Sequence, residues 1–118
     1  MSQDIRCGEI YTVDFDPPKV QELKVGSEII ERRPAVVMSR NAINKARRTV
    51  MVVPLSSCPA PMEIFAVAVP SAGLQSVAVC DQLTTVNKST RVLNRVGTLA
   101  AADLRAVEIG VMDAMSLR

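Results

Sequence analysis

The tripeptide Arg32-Arg33-Pro34 leads directly into the apolar run at residues 35–38. Proline lacks an N–H and disfavours helical geometry in the preceding residue, so Arg33 is expected to be extended as it enters a buried strand. The sequence therefore predicts a permanently charged guanidinium aimed in one direction from the strand end. Two interpretations stay open at this point: Arg33 is a functional cation, or it pairs in solvent with Glu28 or Glu31.

Histidine is absent from the chain, and this excludes more chemistry than any other feature of its composition. A Ser-His-Asp triad, histidine acid–base catalysis and a histidine metal site are all excluded. The acidic residues are not spaced as a calcium or magnesium loop, and the glycines stand singly, so no phosphate-binding glycine loop is present. We therefore expect chemistry that uses no metal and no cofactor.

Positive charge is concentrated in two segments, although the formal net charge is only +2. Most acidic residues precede residue 32, which predicts a positively charged groove opposite an acidic loop. One Tyr, two Phe and no Trp leave few rings for base stacking, so a nucleic acid would be held through phosphates and polar contacts. The basic residues of the two segments are Lys45, Arg47 and Arg48, and Lys88, Arg91 and Arg95.

The length of 118 residues predicts one domain spanning 1–118, and 48% hydrophobic residues predict a packed core. No apolar run is long enough to cross a membrane, and the N-terminus lacks the apolar segment of a secretion signal, so we expect a cytoplasmic protein. Cys7, Cys58 and Cys80 form no C-x-x-C pair and are expected to be reduced thiols, mostly in the core.

Short β-branched and apolar runs predict a fold that is mainly β. After residues 90–96 the period changes, because Leu104, Val107, Val111 and Met115 recur at helical spacing. This stripe predicts a C-terminal helix of about four turns whose apolar face is core or a dimer seam. The expected strands are 10–15, 34–39, 50–55, 64–69 and 77–80, with a helical turn at 41–44, a stiff linker at 59–61 and a hairpin connection at 70–73. We expect a small twisted barrel with the helix over one opening.

Five segments, in this order along the chain, carry a family resemblance. They are GEIYTVDFDP (8–17), GSE (26–28), RPAVVMS (33–39), VVPLSS (52–57) and CDQLTTV (80–86). Together they resemble the MazF/PemK/Kid family of toxin endoribonucleases of type II toxin–antitoxin systems, from residue 8 to about 115. The resemblance implies an SH3-like barrel of the CcdB/PemK toxin type, a homodimer, a cognate antitoxin, and metal-independent cleavage of single-stranded RNA.

The resemblance also implies roles for three residues. Cleavage of RNA without metal or histidine uses the 2′-hydroxyl of the substrate as nucleophile and leaves 2′,3′-cyclic phosphate and 5′-hydroxyl ends. Arg33 would bind the phosphate through its planar fork, and Ser56, where the family usually has Thr, would donate a hydrogen bond to it. Glu28 is the candidate proton acceptor. Two alternatives stay open: Ser56 forms a turn, and Glu28 pairs with Lys24 or Arg32.

Two positions depart from the Kid branch of the family. That branch has a histidine where this chain has Ser27 and an arginine where it has Val79, so the Kid acid–base assignment does not carry over. Asp81 and Gln82 either contact RNA bases or satisfy backbone donors between two strands. The remaining candidate RNA-binding residues are Lys45, Arg47, Arg48 and Lys88.

Two rival functions stay open. One is a gyrase poison like CcdB, whose hallmark is a C-terminal Trp-Gly-Ile, whereas this chain has no tryptophan and ends Met115-Ser116-Leu117-Arg118. The other is an inactive barrel retained as a binding module; intact Arg33 and Ser56 argue against it. The sequence therefore favours the endoribonuclease.

Overall fold

The structure, a computed structural model, describes residues 4–15, 32–57 and 65–118. Within those ranges the chain forms seven strands, all paired antiparallel, and three α-helices. Their bounds are β1 Glu9–Asp14, β2 Arg32–Val37, α1 Asn41–Ala46, β3 Thr49–Ser56, β4 Ala66–Ala68, β5 Val77–Val79, β6 Thr84–Asn87, α2 Lys88–Arg91, β7 Val92–Thr98 and α3 Ala101–Ala114. Two 3-10 turns, Pro70–Ala72 and Cys80–Gln82, lie before and after β5.

Strand β3 is the centre of the sheet, whose order is β4-β5-β3-β2-β1-β7 with β6 also paired to β3. One edge of β3 pairs with β2, and the other pairs first with β6 at Thr49–Val52 and then with β5 at Leu55 and Ser56. Pro54 lies where the partner changes, which suits a residue that has no N–H to give to a ladder. The change of partner strand therefore falls at Pro54.

The sheet buries apolar side chains on both faces. Successive residues of a strand point to opposite faces, so Val36 and Val37 of β2 belong to two different clusters. The cluster on the first face includes Tyr11, Val13 and Val52, and the second includes Val53, Leu55 and Val107. Valine suits these positions because its branched side chain packs on a pleated surface.

Helix α3 covers the second face at close range. Val107 is fully buried, and a Cβ added to Gly110 would lie 2.6 Å from the Cys80 sulfur and 2.9 Å from Val67. A glycine inside a helix costs about 1 kcal/mol relative to alanine, and here it permits the close approach of helix and sheet. The predicted helical stripe is only partly core, because Met115 at its C-terminal end is 55% exposed.

A buried carboxylate ties the start of β1 to β7. Glu9 is 7% exposed, and its Oε2 accepts a hydrogen bond from Arg95 Nη1 at 2.7 Å. The other oxygen accepts from the Arg6 backbone N–H at 2.8 Å and from the Tyr11 hydroxyl at 3.0 Å. Because each oxygen of Glu9 is hydrogen-bonded, its charge is tolerated beside the core.

The fold class predicted from sequence, mainly β with a C-terminal helix, is confirmed. Strand β2 begins at Arg32, two residues earlier than predicted, so Arg33 lies inside the paired strand. The sequence did not predict β6 or α2, and the linker at 59–61 lies outside the described residues. Cys80 is buried, and that burial, together with the charge of Asp81, raises the pKa of its thiol to about 11. None of the described helices is long and apolar enough to cross a membrane.

The surroundings of Tyr11 predict an alkaline titration. Burial, helped by the hydrogen bond to Glu9, raises the pKa of Tyr11 to about 12. A phenol whose pKa is raised by folding contributes stability below its unfolded pKa of about 10, and that contribution is lost as the pH rises through 12. Tyr11 is the single tyrosine of the chain, so tyrosinate absorbance in native protein should appear near pH 12 and in urea near pH 10. A native titration near pH 10 would contradict the buried contact, and Glu9→Gln should lower the native value only partly, because burial is its larger cause.

Candidate active site

Arg33 is positioned by its pairing in the sheet. Its backbone lies opposite Val13 of β1, and the next residue, Pro34, lies opposite Thr12. The side chain of Arg33 is half-buried, whereas that of Arg32 is 70% exposed and lies 3.9 Å from Asp14, a separation at which a surface ion pair contributes little. The direction of the Arg33 side chain is therefore set by strand pairing.

Ser56 is brought to Arg33 by the register between β2 and β3. Ala35 lies opposite Pro54 in that pair, and continuing the antiparallel register by two residues places Arg33 opposite Ser56. Residues directly opposite each other in such a pair have Cβ atoms about 5 Å apart and point to the same face. Ser56 also lies opposite Val77 of β5, so it belongs to a strand rather than a turn.

Both residues line one cleft of about 570 Å³. The cleft has an apolar part, which Ile10, Pro34 and Leu55 form. Hydroxyl groups and the end of β7 complete the walls. The lining residues there are Ser57, Ser71, Ala72, Ser76, Val96, Gly97 and Thr98. The lining residues thus come from segments far apart in the sequence, between positions 10 and 98. The volume of the cleft is typical of a small-ligand site.

The charge of this cleft is positive. Arg32 and Arg33 line it, and its described lining residues include no carboxylate. A guanidinium offers parallel donors that match two oxygens of a phosphate, and a hydroxyl such as that of Ser56 donates one more hydrogen bond. The arrangement can bind a phosphate group and stabilise negative charge that develops on it. No group of three or more Cys, Asp or Glu side chains that could hold a metal is present among the described residues.

The four predicted basic residues lie at the other end of β3. Thr49 opens that strand and pairs with Asn87, and the Lys88 N–H donates to the Arg48 carbonyl at 2.8 Å. Ser56 is seven residues further along, or about 20 Å at the rise of a strand. The ammonium of Lys88 donates to the Asn44 carbonyl at 2.6 Å, near the C-terminal end of α1. The structure therefore separates Lys45, Arg47, Arg48 and Lys88 from the cleft.

Asp81 and Gln82, two further predicted site residues, do not line the cleft. Asp81 and Gln82 belong to the 3-10 turn between β5 and β6, which packs against α3 and does not line the cleft. The Gln82 carbonyl accepts a hydrogen bond from the Thr84 hydroxyl at 2.7 Å. Glu28, the predicted proton acceptor, lies outside the described residues.

Sequence reasoning did not identify the wall formed by Ser71, Ala72 and Ser76. The sequence predicts a hairpin connection at 70–73, and this is confirmed, since the 3-10 turn Pro70–Ala72 joins the antiparallel strands β4 and β5. A hydroxyl-rich turn carries no signal of its own that would assign it to a cleft. Ser71 lies close to forty residues after Arg33 in the sequence, and only the order of the strands in the sheet brings the turn and Arg33 to the same cleft.

Comparison with known proteins gives a consistent result. A sequence profile of the PemK-like, MazF-like toxins of type II toxin–antitoxin systems matches residues 6–115. The crystal structure of MazF from Deinococcus radiodurans superposes with a TM-score of 0.80 at 23% identity, covering 97% of this chain and 98% of that one. No curated protein matches the chain in sequence.

Two mycobacterial structures are also similar. An endoribonuclease from a mycobacterial species has a TM-score of 0.76 at 19% identity, covering 98% of this chain and 95% of that one. An endoribonuclease in complex with its cognate antitoxin, also mycobacterial, has a TM-score of 0.74 at 22% identity over 97% of each chain. At these identities the structures establish a shared fold.

Proposed function

The chain belongs to the family of PemK-like, MazF-like toxins of type II toxin–antitoxin systems, and from that premise we propose that it is a metal-independent endoribonuclease of single-stranded RNA. The observation that carries the proposal is the convergence of Arg33 and Ser56 on one positively charged cleft. Cleavage of messenger RNA would inhibit translation and growth. The compartment we propose is the cytoplasm, where that substrate is found.

The reaction we propose uses the 2′-hydroxyl of the RNA as nucleophile. It attacks the adjacent phosphorus, its proton passes to a base, and the bond from phosphorus to the 5′-oxygen breaks as that oxygen takes up a proton. Arg33 binds two non-bridging oxygens and stabilises the extra negative charge of the phosphorane-like transition state. Ser56 donates a hydrogen bond to the same group. Glu28 is the proposed proton acceptor.

The basic residues at the far end of β3 fit a more general role. Lys45, Arg47 and Arg48 are exposed, so they add to the positive field that attracts RNA without reaching the phosphate at Ser56. Lys88 would contribute in the same way through its charge. For Asp81 and Gln82, at the 3-10 turn outside the cleft, we propose contacts to bases of a longer RNA.

The antitoxin we propose is an extended acidic segment that occupies the cleft. Its carboxylates would pair with Arg32 and Arg33, and its backbone would lie along the walls that otherwise hold RNA. The mycobacterial endoribonuclease of the same fold was solved with its cognate antitoxin, which supports a protein partner.

A homodimer is also proposed, with the contact at an apolar groove beside α3. The groove has a volume of about 450 Å³ and is flanked by Arg105 and Glu108. Its apolar lining residues are Met38, Met51, Leu83, Val111, Met112 and Met115. Exposed apolar grooves of this kind are typical of protein interfaces, and flexible methionines adapt to a facing surface.

The chemistry predicts how the reaction responds to chelation. Because the nucleophile belongs to the RNA and Arg33 supplies the positive charge, purified protein should cleave single-stranded RNA in excess EDTA. The products should carry 2′,3′-cyclic phosphate and 5′-hydroxyl ends, which end-labelling before and after phosphatase treatment distinguishes. Products with 5′-phosphate ends, or activity lost on chelation, would contradict the mechanism.

Substitutions in the cleft should separate catalysis from folding. Ser56→Ala should lower the cleavage rate about 10- to 1000-fold, the range for loss of one transition-state donor, whereas Ser56→Thr keeps the hydroxyl and should remain active. Arg33→Ala should lose at least as much, and Arg33→Lys should restore little because an ammonium lacks the planar fork. The measurements are single-turnover cleavage and thermal melting.

All four variants should melt near the wild-type temperature, because neither side chain is in the core. Arg48→Ala, at the far end of β3, serves as the matched control for loss of a basic residue and should lower the cleavage rate only modestly and mainly at low salt, where its charge is least screened. If Ser56→Ala and Arg33→Ala cleave as fast as wild type, the site is wrong. If they lose activity only by unfolding, both residues are structural.

Assembly gives a further prediction. Light scattering at micromolar concentration should report twice the chain mass of 12.7 kDa. Met112→Asp should shift the protein toward monomer, because it places a charge in the apolar groove. Leu74→Asp is the matched control, since Leu74 is 96% exposed and lies outside the groove, and it should leave the mass unchanged. A wild-type monomer, or a dimer indifferent to Met112→Asp, would contradict the proposed interface.

A further inference from the structure

The 3-10 turn Pro70–Ala72 is fastened to helix α3 by two residues. The Ser71 backbone N–H donates to Asp103 Oδ2 at 2.8 Å, and the Ser71 hydroxyl donates to the same oxygen at 2.5 Å. The Ser71 hydroxyl oxygen also accepts a hydrogen bond from the Ala100 N–H at 3.0 Å. Three hydrogen bonds therefore join two segments about thirty residues apart in the sequence.

Each segment satisfies the free backbone donor of the other. Ala100 occupies the N-cap position of α3 and has no side-chain oxygen, so its own N–H is bonded from outside the helix by Ser71. Asp103, in the first turn of α3, accepts the Ser71 N–H, which the short 3-10 turn leaves without a partner of its own. A carboxylate at this position is also favoured by the helix dipole. We call this arrangement the Ser71–Asp103 clasp.

The clasp lies between two walls of the cleft. Ser71 and Ala72 line one wall, and Thr98 lines the other. Thr98 is two residues before Ala100, and the intervening Leu99 is buried and donates its N–H to the Gly8 carbonyl at 2.9 Å. The β7 wall is thus held by the sheet, and the clasp holds the turn to it. These three hydrogen bonds join the turn, which also lies between the paired strands β4 and β5, to the start of α3.

We propose that the Ser71–Asp103 clasp sets the width of the cleft and thereby selects the nucleotides of single-stranded RNA that fit beside the cleaved phosphate. The inference rests on the proposed function. Ser71 and Asp103 are positioning residues, because they act through the walls and do not touch the RNA themselves. The hydroxyls of Ser76 and Thr98, one on each wall, form hydrogen bonds with base edges only when the walls are at the right distance. Arg33 and Ser56 belong to strands of the central sheet, so the chemical step itself does not depend on the clasp.

The test compares variants of the full chain on one single-stranded RNA and on a pool of random sequences. Asp103→Ala should raise KM about tenfold, since hydrogen bonds to a charged group are lost, with kcat nearly unchanged. The cleavage motif in the pool should become less selective. Ser71→Ala should do the same more weakly, because the backbone N–H contact to Asp103 remains. These effects on KM and selectivity distinguish positioning from a purely structural role.

Conservative variants provide the rescue. Asp103→Asn keeps an acceptor oxygen and Ser71→Thr keeps the hydroxyl, so both should return KM and the motif toward wild type. Asp113→Ala is the matched control, because it removes an exposed carboxylate from the same helix. That carboxylate is paired with Arg118 at 2.6 Å, and its loss should change neither KM nor the cleavage motif. An unchanged KM and motif in Asp103→Ala, or a loss confined to kcat, would overturn the proposal.

Amide hydrogen exchange keeps this test independent of RNA cleavage. In Asp103→Ala the amide of Ser71 should exchange about tenfold faster or more, because its acceptor is lost, and in Ser71→Ala the amide of Ala100 should do so for the same reason. Unchanged amide exchange rates in these variants would overturn the proposal that the clasp holds the wall, even if the protein is active. A wild-type protein that cleaves no RNA would instead overturn the proposed function, and the exchange of Ser71, Ala72 and Ser76 would still decide whether the clasp holds the wall.

Discussion

The pairing register between β2 and β3 is the constraint on which the candidate site depends. The two candidate side chains stand on different strands, and continuing the antiparallel register that places Ala35 opposite Pro54 brings Arg33 opposite Ser56. A slip of one residue would turn one of them to the other face of the sheet. The register is well specified, because Val36 and Val37 are fully buried on opposite faces and a slip would exchange their two clusters.

The same core supports the strands that carry the two candidate residues. Strand β3 changes partner from β6 to β5 near Pro54, and Ser56 at its end is paired with Val77 of β5. Helix α3 packs closely on the second face at Gly110, where its backbone approaches Cys80 and Val67. The clasp joins the first turn of α3 to the 3-10 turn that lines the cleft. Packing of the helix and shape of the cleft are therefore coupled.

Most of the fold could be predicted from the sequence because its signals are local. The valine-rich runs of β2 and β3 and the helical stripe around Val107 depend on residues close together in the chain. Strand β6 was missed because Val86 is its single buried residue, so it shows almost no apolar pattern. Arg33 could be named because Pro34 marks it, and Ser56 because the family resemblance implies its role, whereas Ser71 could not be named: its role arises from contacts with Asp103 and Ala100.

The central claim is that Arg33 and Ser56 hold the same phosphate, and the direct measurement is a crystal structure with a single-stranded RNA whose 2′-hydroxyl at the cleavage site is methylated. Methylation removes the nucleophile, so the RNA stays intact. We expect the uncleaved phosphate within hydrogen-bond distance of both the Arg33 guanidinium and the Ser56 hydroxyl, with the neighbouring base between the turn at Ser71 and the end of β7. RNA bound along Arg47 and Arg48, with the cleft empty of phosphate, would contradict it.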